Sequence, residues 1–181
     1  LDDKFNPKNE FNFQGLKIIG DLDLSFEIFD QNIYKEAIVA IGDSNTRIYW
    51  LKKLKSIGYK IPKIIHPSAW VSPSCSIKEG TVIFAQSVIQ SEVKIGFGVI
   101  INTACSIDHD SIIHEGVHIC PGARLAGAVE VGQHSIIGIG STIIKEIKIG
   151  KNVIIGAGAA VVNNIDDNVL AMGVPAKVKL N

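Results

Sequence analysis

Aliphatic residues return at every sixth position along most of this 181-residue chain. Counting in sixes from Ile65 to Val161 gives seventeen positions, and all of them are Ile, Val or Leu. Four residues after most of these ticks sits a small or β-branched residue, as at Ala69, Cys75, Thr81, Ser87, Val93, Cys105, Ser111 and Ser135. Gly often follows the tick directly, as at Gly96, Gly132, Gly138, Gly150 and Gly156. A helix repeats about every 3.6 residues and a strand about every 2, so neither explains this period. It is the pattern of a β-helix in which each hexad supplies one short strand and one corner. Three hexads close a triangular coil, and the run predicts between five and six coils. Each aliphatic points inward and stacks on its equivalent one coil away; Ile83, Ile101, Ile119, Ile137 and Ile155 form one such ladder. The small residue two places before the next tick also faces the narrow interior. Glycine is expected at corners because it tolerates positive φ. An ordinary sandwich would need turn clusters about every 8–12 residues, and the run has none.

Residues 1–62 have a different texture. Leu16 to Leu22 reads as a short strand ending at Gly20. Ala37 to Ile41 reads as a buried parallel strand, Gly42 to Thr46 as a capping turn, and Arg47 to Ile57 as an amphipathic helix stopped by Gly58. Tyr59 to Ile61 starts another extended piece, completing a βαβ unit. The expected organisation is a Rossmann-like α/β domain over 1–62 and an all-β parallel β-helix with a C-terminal tail over 63–181. Pro62 and the segment IHPSAW mark the junction. A glycine-rich phosphate loop should precede the first helix of such an α/β domain, and none is present. The domain therefore reads as incomplete, opening at the end of its second strand with Asp2 and Asp3.

Composition narrows the partners. Formal net charge is zero, so no global positive field gathers nucleic acid or an anionic membrane. Cys75, Cys105 and Cys120 form no CxxC pair and are odd in number, which points to reduced thiols and a cytoplasmic protein. No apolar run approaches the roughly 20 residues that span a bilayer.

The candidate chemistry lies in INTACSIDHDSIIHEGVHIC, residues 101–120, which holds three of the five histidines between its Ile ticks. His109 stands two residues past inward Ile107, so it is expected near a corner, outside the prism. Asp108 and Asp110 flank it. A neutral imidazole in that place can take a proton, and a neighbouring carboxylate orients the ring and favours its charged form. His66 and His134 read as solvated corner residues, and His114 as a residue of a subunit interface.

The order of VAIGDSNTR, IHPSAWVSP, the hexads, INTACSIDHD and the closing GVPAK resembles one family over essentially the whole chain. These are the hexapeptide-repeat sugar acetyltransferases, the group of the bacillosamine-pathway UDP-4-amino-sugar N-acetyltransferase and the sialic-acid O-acetyltransferases. The resemblance implies a left-handed β-helix, a homotrimer with active sites between subunits, acetyl-CoA as co-substrate and a nucleotide sugar on the N-terminal domain. It implies His109 as base with Asp110, in place of the family's usual Glu, as its partner. His118, Ile139 and Gly156 are expected along the acetyl-CoA groove, and Lys177 near a CoA phosphate. Asp2, Asp3, Gly20 and Asn102 are expected to contact the sugar substrate.

The expected activity is acetyl transfer to a UDP-linked 4-amino-4,6-dideoxy sugar in bacterial glycan biosynthesis. Sugar O-acetylation of the sialic-acid type and a non-catalytic trimeric binding module are the alternatives. His109 and His114 also have the spacing of the metal-binding pair in γ-class carbonic anhydrases. Pro73 and Lys78 stand where the third ligand would have to come from, so no metal is expected.

Overall fold

Short strands and four-residue corners alternate without interruption from residue 64 to residue 161 in the structure, a computed structural model that describes residues 1–2, 12–13, 15–31 and 34–179. Each two-residue strand pairs in parallel with the strand one coil on, in the register Ser106↔Arg124 and Ile107↔Leu125. Three stacked sheets result, and we call them the first, second and third face. The first begins with Ile64–Ile65 and Val82–Ile83, the second with Trp70–Val71 and Val88–Ile89, the third with Ser76–Ile77 and Lys94–Ile95. About six coils form a solenoid, as the six-residue period predicts.

The interior follows the predicted ladders. Ile89, Ile101, Ile107, Ile119 and Ile137 have no exposed surface, and neither do Val93, Val99, Val117 and Val129 at the second inward position. Where that position holds a hydroxyl or thiol, it donates to a backbone carbonyl, in most cases of the next coil and at Ser141 of its own corner, Gly138 O. Ser87 Oγ bonds Asn102 O (2.7 Å), Ser135 Oγ bonds Gly150 O (2.7 Å) and Cys105 Sγ bonds Cys120 O (3.0 Å). Small side chains fit the narrow prism, and polar ones are tolerated because each finds an acceptor.

Glycine works at the corners in two ways, only one of which the sequence suggests. From the corner of residues 78–81 to that of residues 156–159, the third residue of each corner adopts positive φ, and it is Gly at 80, 98, 116, 122, 140 and 158. Non-glycine residues hold the same conformation at Glu92, Ala104, Asp110, Ala128 and elsewhere. The glycines directly after the aliphatic tick are not of this kind. A Cβ at Gly96 would stand 2.7 Å from Glu115 N, and one at Gly132 would stand 2.5 Å from Gly150 C. Those glycines let successive coils approach.

The six-residue clock breaks after Val161. Ile149 bridges Ile165 and Ile154 pairs with Leu170, so the last coil is shorter than the others, which follow the Ile136↔Ile154 spacing. Asn164 Oδ1 and Asp167 Oδ1 accept from the backbone N–H groups of Lys148 and Lys151, both at 2.8 Å, and close the third face. Leu170–Met172 and the antiparallel Lys177–Lys179 close the first.

The N-terminal region differs from the βαβ reading. It contains a small antiparallel pair, Asn12–Phe13 with Leu16–Lys17, then helix α1 (Leu24–Asp30) and helix α2 (Ser44–Ile57). Helix α1 had no counterpart in the sequence reading. The segment Ala37–Ile41 is not a strand; Glu36 bridges Lys60, and Ile38 is exposed. A parallel ladder needs a partner alongside, and among the described residues this stretch meets one only at that bridge. Helix α2 follows its capping signals but starts at Ser44, three residues before the predicted Arg47. Asp43 accepts from Thr46 N at 2.8 Å as the N-cap, and Gly58 ends the helix at φ 116°. No helix of the described residues is long and apolar enough to cross a membrane.

Helix α2 lies along the edge between the third and first faces. Cβ atoms at Gly80 and Gly98 would meet Leu51, and at Gly98 also Ile48 at 2.5 Å. The glycine column is thus a smooth track for the helix. Arg47 is 1% exposed and locks it in place. Its Nε donates to Gly98 O (2.8 Å), Nη2 to Gly116 O (2.7 Å) and Nη1 to Ile41 O (3.0 Å) and Gly42 O (2.7 Å). Ser44 Oγ donates to Gly116 O at 2.6 Å, so its 2.8 Å contact with His134 is a bond donated by His134 Nδ1–H. His134 is therefore half-buried and partnered, not a freely solvated corner residue.

Candidate functional site

The corner of residues 108–111, between the second and third faces, carries His109 and Asp110. Asp110 sits at the positive-φ position (φ 59°), which turns the chain so that adjacent side chains meet. His109 Nδ1 and Asp110 Oδ2 are 2.8 Å apart. Asp108 Oδ1 accepts from the His109 N–H at 2.9 Å and fixes the corner from the other side. An ionised carboxylate only accepts, so the ring carries its proton on Nδ1 and presents Nε2 as a lone pair. The Asp110 hydrogen bond holds the imidazole above the ordinary histidine value, and the charges of Asp108 and Asp110 act in the same direction. The shorter Asp in place of Glu forms the pair without difficulty. The His109 side chain is 57% exposed, open to a reactant from outside the chain.

His118 is found on a different part of the prism. It points outward from the first face, where Asn102 Nδ2 donates to its Nε2 at 3.2 Å. Burial pushes its proton affinity down, and the nearby Arg47 charge adds to this. The ring is therefore neutral at pH 7, with its own proton on Nδ1. Asn102 is held in turn by accepting from Thr103 N at 2.8 Å.

Ile139 and Gly156 lie on the edge between the first and second faces, as Asn102 does. Ile139 is 60% exposed. Around it, Cβ atoms built on Gly122, Gly140 and Gly158 would meet nothing within 4 Å. Gly138 and Gly156 are closed onto the backbone or side chain of the coil above. The edge is thus rich in glycine from Gly122 to Gly158, with one exposed aliphatic, Ile139, among them. An extended, flexible arm fits such a surface, which residues with side chains would block.

The predicted site residues therefore fall into separate groups. His109 and Asp110 share one corner. Asn102, His118, Ile139 and Gly156 share the first face and the edge that follows it. Asp2 and Gly20 are brought together by a 3.0 Å hydrogen bond from Asp2 N to Gly20 O. Asp3 lies outside the described residues. His114 occupies yet another corner, where its Nε2 lies 3.0 Å from Glu130 Oε1. His109 and His114 thus sit on different edges. Among the described residues, no three His, Cys, Asp or Glu side chains gather as a metal site. Lys177 lies on the closing hairpin and is exposed. The three thiols are free, and burial raises that of Cys105 to about 11.

Sequence reasoning missed Arg47 and Ser44. Their signal was present in GDSNTR but was read only as helix capping. It also missed the outward ladder of the first face. Val82, Ile100, Ile136 and Ile154 point away from the interior there, with Ile154 48% exposed. The third face carries Lys94, Glu130 and Lys148 at the equivalent positions.

No family model matches the chain. Solved structures do. A histidine-to-asparagine mutant of the perosamine N-acetyltransferase from Caulobacter crescentus, in complex with CoA and GDP-perosamine, is 35% identical. It superposes with a TM-score of 0.93 over 97% of this chain and 83% of its own. The acetyltransferase domain of PglB from Neisseria gonorrhoeae, in complex with acetyl coenzyme A, is 34% identical. Its TM-score is 0.89 over 96% of this chain and 84% of its own. WeeI from Acinetobacter baumannii is 25% identical with a TM-score of 0.82, covering 98% of this chain and 84% of its own.

Proposed function

The chain belongs to the hexapeptide-repeat β-helix sugar N-acetyltransferases, and from that premise we propose that it moves an acetyl group from acetyl-CoA to the 4-amino group of a UDP-linked 4-amino-4,6-dideoxy sugar. The observation that carries this reading is the His109–Asp110 pair, an oriented imidazole with a free Nε2 at an open corner.

His109 Nε2 accepts the proton of the sugar amine as the amine nitrogen attacks the thioester carbonyl. A C–N bond forms and the C–S bond breaks. The imidazolium, held by Asp110, then returns its proton to the departing thiolate, so that the products are the amide and free thiol. Proton transfer of this kind contributes about 10²–10⁴ in rate. Acetyl-CoA supplies the activated acyl group, and the glycine-rich edge around Ile139 is the surface on which its pantetheine arm would lie. His118 and Asn102 stand beside that edge as neutral hydrogen-bonding groups.

The two groups of residues project from different parts of one prism. They meet only if a second copy lends its first face to the His109 corner of its neighbour. The apolar outward ladder of that face supports such contact, because an uncovered face would be expected to carry polar residues there. We therefore propose a homotrimer in which each active site takes His109 from one chain and His118 from the next. The region 1–62, with Asp2, Asp3 and Gly20, is proposed to hold the nucleotide sugar, and 63–181 the acetyl-CoA.

The test is thiol release from acetyl-CoA with a panel of acceptors: UDP- and GDP-linked 4-amino sugars and sialic acids. Release with the UDP-linked 4-amino sugars, and its loss by 10²-fold or more in His109→Ala, is expected. GDP-linked preference would move the nucleotide assignment toward that of the Caulobacter relative. Release only with sialic acids would favour O-acetylation, and no release with any acceptor would favour a binding module. A solution mass of a single chain would remove the trimer.

A further inference from the structure

The imidazole of His109 lies across Gly127, one coil above. A Cβ on Gly127 would stand 2.7 Å from both Cε1 and Nε2 of that ring and 3.3 Å from Cδ2. Carbon atoms do not pack that closely, so any side chain there displaces the ring. The two corners are also joined by a 2.8 Å hydrogen bond from Ala128 N to His109 O.

Among the described residues, nothing else asks for glycine at this point. Pro73, Ser91, His109, Gly127 and Lys145 occupy the same corner position in successive coils, as the strand registers preceding them show. The others all carry a side chain. Gly127 is not among the positive-φ residues. Its case also differs from that of Gly96 and Gly132, whose would-be Cβ atoms strike backbone. At Gly127 all three close atoms belong to the His109 ring.

We infer that Gly127 is a positioning residue, whose missing side chain lets the His109 imidazole rest on the next corner with Nδ1 on Asp110. The inference rests on the reading of His109 as the base. Without the gap, the ring would be held away from that corner and its bond to Asp110 would lengthen. Asp108 and Asp110 are the charged groups that face the ring, and both favour its protonated form.

The experiment compares the assembled wild-type protein with Gly127→Ala. A misplacement on the order of 1 Å is expected to lower kcat about 10²-fold. KM for both substrates should change by less than about twofold, since uniform binding is untouched. The acid limb of the pH–kcat profile should move to lower pH as the Asp110 bond weakens. The His109 ring titration, followed by NMR without substrates, should move the same way. Ser91→Ala and Lys145→Ala, in the same column, should leave both unchanged. If Gly127→Ala is poorly folded, adding His109→Ala removes the atoms that the new Cβ strikes, and the melting temperature should recover. Unchanged kcat and ring titration in Gly127→Ala would overturn the inference, as would a melting temperature that His109→Ala does not restore. Full activity in His109→Ala would instead remove the base, and the ring titration would still decide the role of Gly127.

Discussion

Two edges of the same prism are built on one corner template and used in opposite ways. Between the third and first faces, the positive-φ column begins Gly80, Gly98, Gly116, and helix α2 lies against it. Between the second and third faces, the same column reads Glu92, Asp110, Ala128, Glu146, and among the described residues all four are exposed. Residue type at this position therefore reports what lies outside the corner as well as backbone strain. Where α2 lies directly on its edge, at Gly80, Gly98 and Gly116, the side chain is given up, and in the next coil His134 instead bonds Ser44. An edge left open can hold a functional side chain there, and Asp110 does so.

Breaking the covered edge should produce the largest effect. Arg47→Met removes the donors to four carbonyls, those of Gly98, Gly116, Ile41 and Gly42. Hydrogen bonds from a charged donor are worth about 1.5–3 kcal/mol each, and a hydrophobic side chain of similar reach recovers some packing. The expected loss is on the order of 3 kcal/mol, read from chemical denaturation. An unchanged midpoint would mean that α2 is held by its apolar face alone. Gly98→Ala should follow. It strains a positive-φ position and drives a Cβ to 2.5 Å from Ile48 Cδ1. Together these cost about 2 kcal/mol.

The contrast also explains what could be read from the sequence. The solenoid was legible because each aliphatic at a tick faces one environment, the interior, and repeats it in every coil. Arg47 was not legible, because its partners are backbone carbonyls of corners about fifty to seventy residues away, in the arrangement of Gly98 and Gly116. Backbone acceptors leave no trace in residue identity. The His109–Asp110 pair was visible as a local motif, whereas its separation from His118 was not. Nine positions in a hexad repeat place the two on different parts of the prism, so proximity in sequence misleads. The missing ladder at Ala37–Ile41 has a similar cause. An apolar run predicts burial, but only neighbouring chain can turn burial into a sheet.

On the open edge the expected change is in rate. Asp110→Asn keeps the size of the side chain but removes the charge that favours the imidazolium. The His109 value then falls toward that of an ordinary histidine. The sign follows from the base being active when neutral. Wild-type activity is lost as pH drops through a raised value, so in the variant the acid limb moves to lower pH. The rate on the plateau should drop about tenfold, because a neutral amide orients the ring less firmly and no longer supports its charge. A plateau and limb that both match wild type would detach Asp110 from the chemistry.

The smallest effect isolates the backbone part of the comparison. Glu92 holds φ 59° on the open edge and is exposed. A residue with a Cβ pays about 1–2 kcal/mol in that conformation. Replacing it by Gly removes that strain but restores freedom to the unfolded chain, worth about 0.5–1 kcal/mol. Glu92→Gly should therefore stabilise the protein by about 0.5 kcal/mol, seen as a small rise in denaturation midpoint. The same exchange run backwards at Gly98 contains this backbone term plus the collision with α2. If Gly98→Ala costs no more than Glu92→Gly gains, the helix does not rest on that column. The difference between the edges would then be one of turn chemistry and not of contact.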